Sequence, residues 1–244
     1  MKCPPSLLIC SMATVMFLFV SCGNNEKKTE QTSSDTTTAA TSQPTPASTL
    51  VTTPQNMMVA THKVKNFATW KSSYDAHDSL RLARGIHSYV IGRGVQDSNT
   101  VFVVVKVDDM DKAKAFSKDA SLKQAMQKGG VIGSPSFRFL TMTYQDTAKI
   151  NSDLRARSSF TVKDWDAWQK SFEESRQQKT DNGLTVRAYG HDVDDSHKAV
   201  LVLAITDTAK ANAWWKSDEL KKRRAAAGVV GEPERFLYRV VQRY

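Results

Sequence analysis

Cysteine is nearly missing from this 244-residue chain: there are three, Cys3, Cys10 and Cys22, and none follows position 22. That excludes a disulfide framework and a thiolate metal site from everything downstream. Histidine is sparse as well. The five, His62, His77, His87, His191 and His197, show no helical ligand spacing. No Ser/His/Asp or Cys/His arrangement for nucleophilic catalysis is discernible, and the adjacent acids Glu173 and Glu174 read as a solvated helix face. No apolar run reaches the ~20 residues that a bilayer-spanning helix needs. The run Ser6–Val20 follows a single basic residue, Lys2, and ends at small residues, which is the layout of an export signal.

What stands at the end of that run is Phe19-Val20-Ser21-Cys22. It resembles a bacterial lipobox, and the resemblance implies a lipoprotein signal peptide over 1–22 with Cys22 as the lipidation site. An ordinary signal peptide cleaved elsewhere is the alternative. Residues 23–56, rich in Ser, Thr, Pro and Gln and almost devoid of large apolar side chains, cannot offset their ordering entropy and are expected to form a disordered tether. The expected address is the bacterial cell envelope, lipid-anchored through Cys22 at the outer membrane or periplasmic face. The formal net charge is +9. Its cations are scattered except for Lys221-Lys222-Arg223-Arg224, read as a solvated helix face, so nucleic acid is not an expected partner.

After the tether the chain is written twice. Val64-Lys65-Asn66-Phe67, Trp70 and Tyr74 return as Val162-Lys163-Asp164-Trp165, Trp168 and Phe172, a shift of 98 (162 − 64). The same shift carries Gly85 to Gly183, Gly92 to Gly190, Phe116 to Trp214 and Gly130-Val131 to Gly228-Val229 without a gap. Two modules follow, over 57–149 and 150–244. Each reads strand, helix, strand, strand, helix, strand, with Asn66 or Asp164 as helix N-cap and the aromatic stripe as core. The motifs GGVIGSP (129–135) and AGVVGEP (227–233) come after helices, where carbonyls and the negative dipole end are exposed. They read as helix stops followed by a strand after the proline, and not as phosphate cradles.

The order βαββαβ is the ferredoxin-like split unit. With VKNFATW, VKDWDAW, DDMDKAKAFSKDASLKQAMQKGGVIGSP and TDTAKANAWWKSDELKKRRAAAGVVGEP, both copies resemble the dimeric α/β-barrel proteins, in particular antibiotic biosynthesis monooxygenase-like domains. The resemblance implies an α+β fold in which two tandem ferredoxin-like modules form a dimeric-type α/β barrel within one chain, a pseudo-dimer.

Period-two alternation then sorts side chains between helices and barrel interior. Ile86, Ser88 and Val90, with Leu184, Val186 and Ala188, are expected to face the helices; His87, Tyr89 and Ile91, with Thr185, Arg187 and Tyr189, are expected inside. His87, Tyr89, Arg187 and Tyr189 are therefore the candidate ligand-binding groups in an apolar-walled cavity, unless they only satisfy one another where the sheets meet. His62 joins them if its face is inward, although its counterpart Phe160 points to core. The leading expectation is binding of a small apolar or aromatic molecule without catalysis and without a cofactor. The alternatives are a cofactor-independent monooxygenase, as the resemblance implies, and a structural or protein-interaction module with a closed core. Haem would need His87 as axial ligand, and calcium would need Asp192, Asp194, Asp195 and His197; neither is the expectation, and no metal site is assigned.

Overall fold

The structure is a computed structural model and describes residues 48–244. The expected signal peptide, Cys22 and the tether as far as residue 47 lie outside the described residues. The tether's expected end at residue 56 falls within folded chain. β1 (Leu50–Val51) pairs with the last residues of β5 (Val131–Asp146), Leu50 opposite Asp146, and β2 (Gln55–Val64) starts ahead of Met57. The apolar pair Leu50-Val51 is what distinguishes this end from the polar stretch before it.

Module one consists of β2, α1 (Phe67–Ala76), α2 (Asp78–Leu82), β3 (Ile86–Gly94), β4 (Thr100–Val107), α3 (Met110–Ser117), α4 (Ala120–Lys128) and β5. Module two repeats it as β6 (Leu154–Val162), α5 (Trp165–Glu174), α6 (Arg176–Asp181), β7 (Leu184–Asp192), β8 (Lys198–Ile205), α7 (Thr208–Lys216), α8 (Asp218–Ala226) and β9 (Val229–Arg243). The caps account for the helix starts. Asn66 and Asp164 accept from the backbone N–H of Thr69 and Ala167, and Asp109 and Asp207 do the same for Lys112 and Lys210. Asp119, capping α4 through Ser121 N–H, is where the second helical region breaks.

The module sheets run β5-β2-β4-β3 and β9-β6-β8-β7, every pairing antiparallel. Two seams, β3 with β9 and β5 with β7, join them edge to edge into a closed barrel. Closure leaves these strands no free edge, and it makes each seam a close approach. The equivalent glycines Gly92 and Gly190 lie on the seams. A Cβ on Gly190 would run into the Thr141 carbonyl and Met142 Cα, and one on Gly92 into the Tyr238 ring. Tyr144 of β5 reaches across its seam to stack on Tyr189, 5.0 Å between centroids, and its hydroxyl accepts from Arg176 Nη1.

Three apolar clusters result. Module one packs Trp70 and α3 onto Val101, Val103, Val105 and Val107, and module two packs Trp165, Trp168, Phe172 and Trp214 onto Ala199, Leu201, Leu203 and Ile205. Both β4 and β8 alternate as their sequence implies. The third cluster, with Met57, Val59, Phe102, Val200 and Tyr238, is the barrel interior.

On β3 and β7 the alternation breaks. Each carries a bulge, between Ser88 and Val90 and between Val186 and Ala188, so Tyr89 and Arg187 are themselves the bulge residues. The extra residue reverses the faces that follow it. Ile91 and Tyr189, expected inside, are buried against the helices instead.

The glycine-proline motifs also sit in bulges. Gly130 and Gly228 leave the helices with φ of 82° and 75°, which fits a helix stop. The strands, however, begin at Val131 and Val229, before the prolines. β5 loses register between Thr61 and Lys63, and β9 between Ser159 and Thr161, so Gly133–Pro135 bulges opposite His62 and Gly231–Pro233 opposite Phe160. Proline is tolerated there because the ladder is already interrupted.

Candidate functional site

A cavity of about 450 Å³ lies between helices and sheet in module one rather than in the barrel. Its floor is Met58, Ala60 and His62 of β2 with Ile86, Val103, Val105 and Phe137; its walls are Trp70, Tyr74, Phe116, Leu122 and Met126. His62, 5% exposed, lines it, with both ring nitrogens buried and neither bonded. Burial pushes its pKa down to about 4, so the ring is neutral at ordinary pH and offers one donor and one acceptor. Trp70 lies 5.4 Å from the imidazole and stacks on Tyr74 at 5.2 Å.

One rim of the cleft is polar and tightly bonded. Arg81 Nη1 donates to the Tyr74 carbonyl at 2.7 Å and Nη2 to Asp78 Oδ1 at 2.9 Å, with the guanidinium 3.7 Å from the Tyr74 ring centroid. Tyr74 Oη and Ser88 Oγ are 2.8 Å apart, and Ser88 donates to Asp78. Burial, more than any charge, raises the Tyr74 pKa, so its hydroxyl keeps its proton. His77 closes the end of α1 through Nδ1 and the Ser73 carbonyl at 2.6 Å and lines the cleft.

Module two has the same cleft at about 190 Å³. Phe160 stands where module one has His62, Phe172 for Tyr74 and Trp214 for Phe116, and these bulkier or purely apolar groups take up the space. Lys179 takes the place of Arg81 and bonds the Phe172 and Ser175 carbonyls, both at 3.1 Å. Burial pushes its pKa down to about 8.

The barrel interior leaves about 80 Å³. Of the four groups expected there, Tyr89 and Arg187 line it. Arg187 is held by Asp146 Oδ2 at 2.8 Å and the Ala148 carbonyl at 2.6 Å. His87 does not line it. Its parity is inward, but it sits at the first turn of β3, with a side chain 45% exposed and bonded to Asp108 Oδ2 at 2.9 Å. Tyr189 is turned to the helices of module two by the bulge, among Trp165, Trp168 and Phe172. Sequence reasoning thus missed the cleft, although the Phe160 counterpart pointed His62 to the helix side, where it lies. It also missed Arg155 and Arg157, which β6 turns into the interior where β2 has Met57 and Val59. The alternation in Leu154-Arg155-Ala156-Arg157, set against Met57-Met58-Val59, was the available signal.

The charged surface groups singled out in the sequence can now be placed. Arg223 and Arg224 of the basic run line the module-two cleft, Arg224 with a side chain only 20% exposed, while Glu173 is paired with Arg176. In the acidic hairpin, Asp194 pairs with Lys114 across the seam at 2.6 Å, and Asp195 with Lys198 at 3.2 Å.

No family model matches this chain, and no curated protein matches it in sequence. Solved structures do. The chain is similar to a candidate chlorite dismutase (TM-score 0.53, 12% identity, 77% of this chain and 95% of that one). It is similar to a candidate monooxygenase of Fusobacterium nucleatum (TM-score 0.52, 14% identity, 78% of this chain and 93% of that one). An anthrone oxidase-like protein is comparable (TM-score 0.50, 14% identity, 77% of this chain and 92% of that one). The fold is the dimeric α/β barrel, here closed by two modules of a single polypeptide.

Proposed function

We propose that the chain binds a small, largely apolar and flat molecule in the module-one cleft, as a lipid-anchored protein of the bacterial envelope. The observation that carries this is the roughly 450 Å³ cavity floored by aliphatic residues and walled by Trp70, with the unbonded His62 lining it. Pockets of this size with one or two convergent polar groups are the usual form of a small-molecule site. A packed structural module has no use for such a void. The barrel interior, where the sequence placed the ligand, is too small for an aromatic ring system.

Titration with the neutral fluorophore N-phenyl-1-naphthylamine tests the reading. Saturable emission in the full chain is expected, weakened at least tenfold by Ala125→Trp, which fills the cleft from α4. Equal binding by the variant would remove the cleft from consideration. The envelope address rests on Cys22: Cys22→Ala should move the protein from the membrane to the soluble fraction, and unchanged fractionation counts against it.

A cofactor-independent oxygenase is the second reading, favoured by one feature, a neutral His62 whose ring can hydrogen-bond a ring hydroxyl. Oxygen consumption with the aromatic bound, lost in His62→Phe, would promote it over binding alone. Two of the similar folds bear names of oxidising enzymes, but a shared fold at such identity carries no activity across.

A further inference from the structure

The barrel interior is lopsided in charge. Module two turns Arg155 and Arg157 inward from β6 and Arg187 from the bulge of β7, and these are 3%, 9% and 6% exposed. Arg243 stands exposed at the mouth beside them. Among the described residues lining this space, Asp146 is the one carboxylate, and Arg187 already holds it. Arg155 spends Nη1 on the carbonyls of Ser152 and Leu154, at 2.8 and 3.0 Å. Arg157 has no ion pair among the described residues. Its Nε has no partner, and its guanidinium lies over the Phe102 and Phe236 rings at 5.4 and 5.8 Å.

Arg155 and Arg187 repel one another across about 80 Å³ of largely apolar wall and Arg243 adds to both, while Asp146 is the one carboxylate in that lining; Asp153 and Glu234 act on Arg155 and Arg157 from outside it. A guanidinium does not escape burial by losing its proton, so the charge needs a counter-charge. Without one, desolvation is among the most destabilising arrangements a core can hold. Waters satisfy hydrogen bonds but do not neutralise. Tyr89 and Tyr238 also line the space, and burial raises the pKa of both, so their hydroxyls stay neutral donors. We propose that the barrel interior is a binding site for a small tetrahedral oxyanion of phosphate or sulfate type, held by Arg155 and Arg187, with Arg157 adding to the positive wall. The cavity is on the scale of one tetrahedral oxyanion, and Arg243 at the mouth draws the ion in. In keeping with this, desolvation and then the neighbouring Arg243 and Arg187 bring the Arg155 pKa down to about 10.

The site is independent of the module-one cleft and is tested separately. The full chain is titrated with inorganic phosphate, ionic strength being held constant with sodium chloride. Saturable stabilisation is expected, with Tm rising by roughly 3–5 °C at ten times the dissociation constant. The double variant Arg155→Met, Arg157→Val installs the residues that module one has at these positions. It should melt higher than the parent in phosphate-free buffer and show no phosphate response. No response in the parent, or an equal response in the variant, overturns the proposal, the latter by placing the ion on surface lysines. Should the variant not fold, crystals soaked in selenate decide. An anomalous peak between Arg155 and Arg187 supports the site, and a peak elsewhere or none at all rejects it.

Discussion

At one place in the repeat, module one carries His62, Tyr74 and Phe116, and module two carries Phe160, Phe172 and Trp214. The backbone around them is the same strand, the same broken helix pair and the same glycine-proline bulge. The cavity differs by more than twofold, about 450 against 190 Å³. Inside the barrel the contrast is inverted: module one gives Met57, Val59 and Tyr89 where module two gives Arg155, Arg157 and Arg187. The polar departures therefore fall on opposite faces of the two sheets, a single His62 toward the helices in module one and three arginines toward the interior in module two. The repeat preserves caps, bulges and seams, which the fold needs, and varies the side chains that decide what a cavity accepts.

The seams offer the sharpest way to break the symmetry of that comparison. Gly190→Ala should cost at least about 3 kcal/mol in urea unfolding, because the new methyl meets backbone on the facing strand, which cannot move without opening the β5–β7 seam. Gly92→Ala meets a tyrosine ring instead and should cost less, about 1–2 kcal/mol. Equal losses would mean that the two seams are mechanically equivalent after all.

The cleft histidine gives a pH signature that module two lacks. His62 has its pKa lowered from 6.5 to about 4 by burial, so the unfolded chain binds the proton first. Stability is then fully present above pH 6.5 and falls as pH drops toward 4, by about 3 kcal/mol in all. His62→Phe, copying module two, should remove that part of the acid sensitivity. Parallel stability–pH curves for parent and variant would show that the imidazole is not desolvated. The smallest effect belongs to Lys114–Asp194, whose module-two counterpart is the neutral pair Asn212 and Gln96. Lys114→Ala should cost under about 1 kcal/mol and vanish in salt; a larger loss would make this seam contact structural.

The spacing of 98 was enough to read the module and its helix caps, because capping residues and helix-terminating glycines act locally; the closed barrel was implied by the family resemblance. The faces of β4 and β8 were legible for the same reason: Val101 to Val107 alternate without interruption. β3 and β7 were not. Tyr89 and Arg187 carry no glycine or other mark of a bulge, yet the extra residue there sends Tyr189 to the opposite side. The cleft escaped notice because a void is a difference in summed side-chain volume between helix and sheet, and no single residue encodes it. His62 was visible as an anomaly against Phe160, but its face depended on a register that Gly133–Pro135 disturbs.

Covalent fusion has a consequence for what this interior can hold. In a ring assembled from two identical subunits, every inward arginine arrives with its twin, and a lone acid likewise comes as two. Three guanidiniums per half would become six across the axis, too many for one small anion to balance. A polypeptide that carries both halves in one gene is released from that doubling, and can line one wall with cations while keeping the facing wall oily.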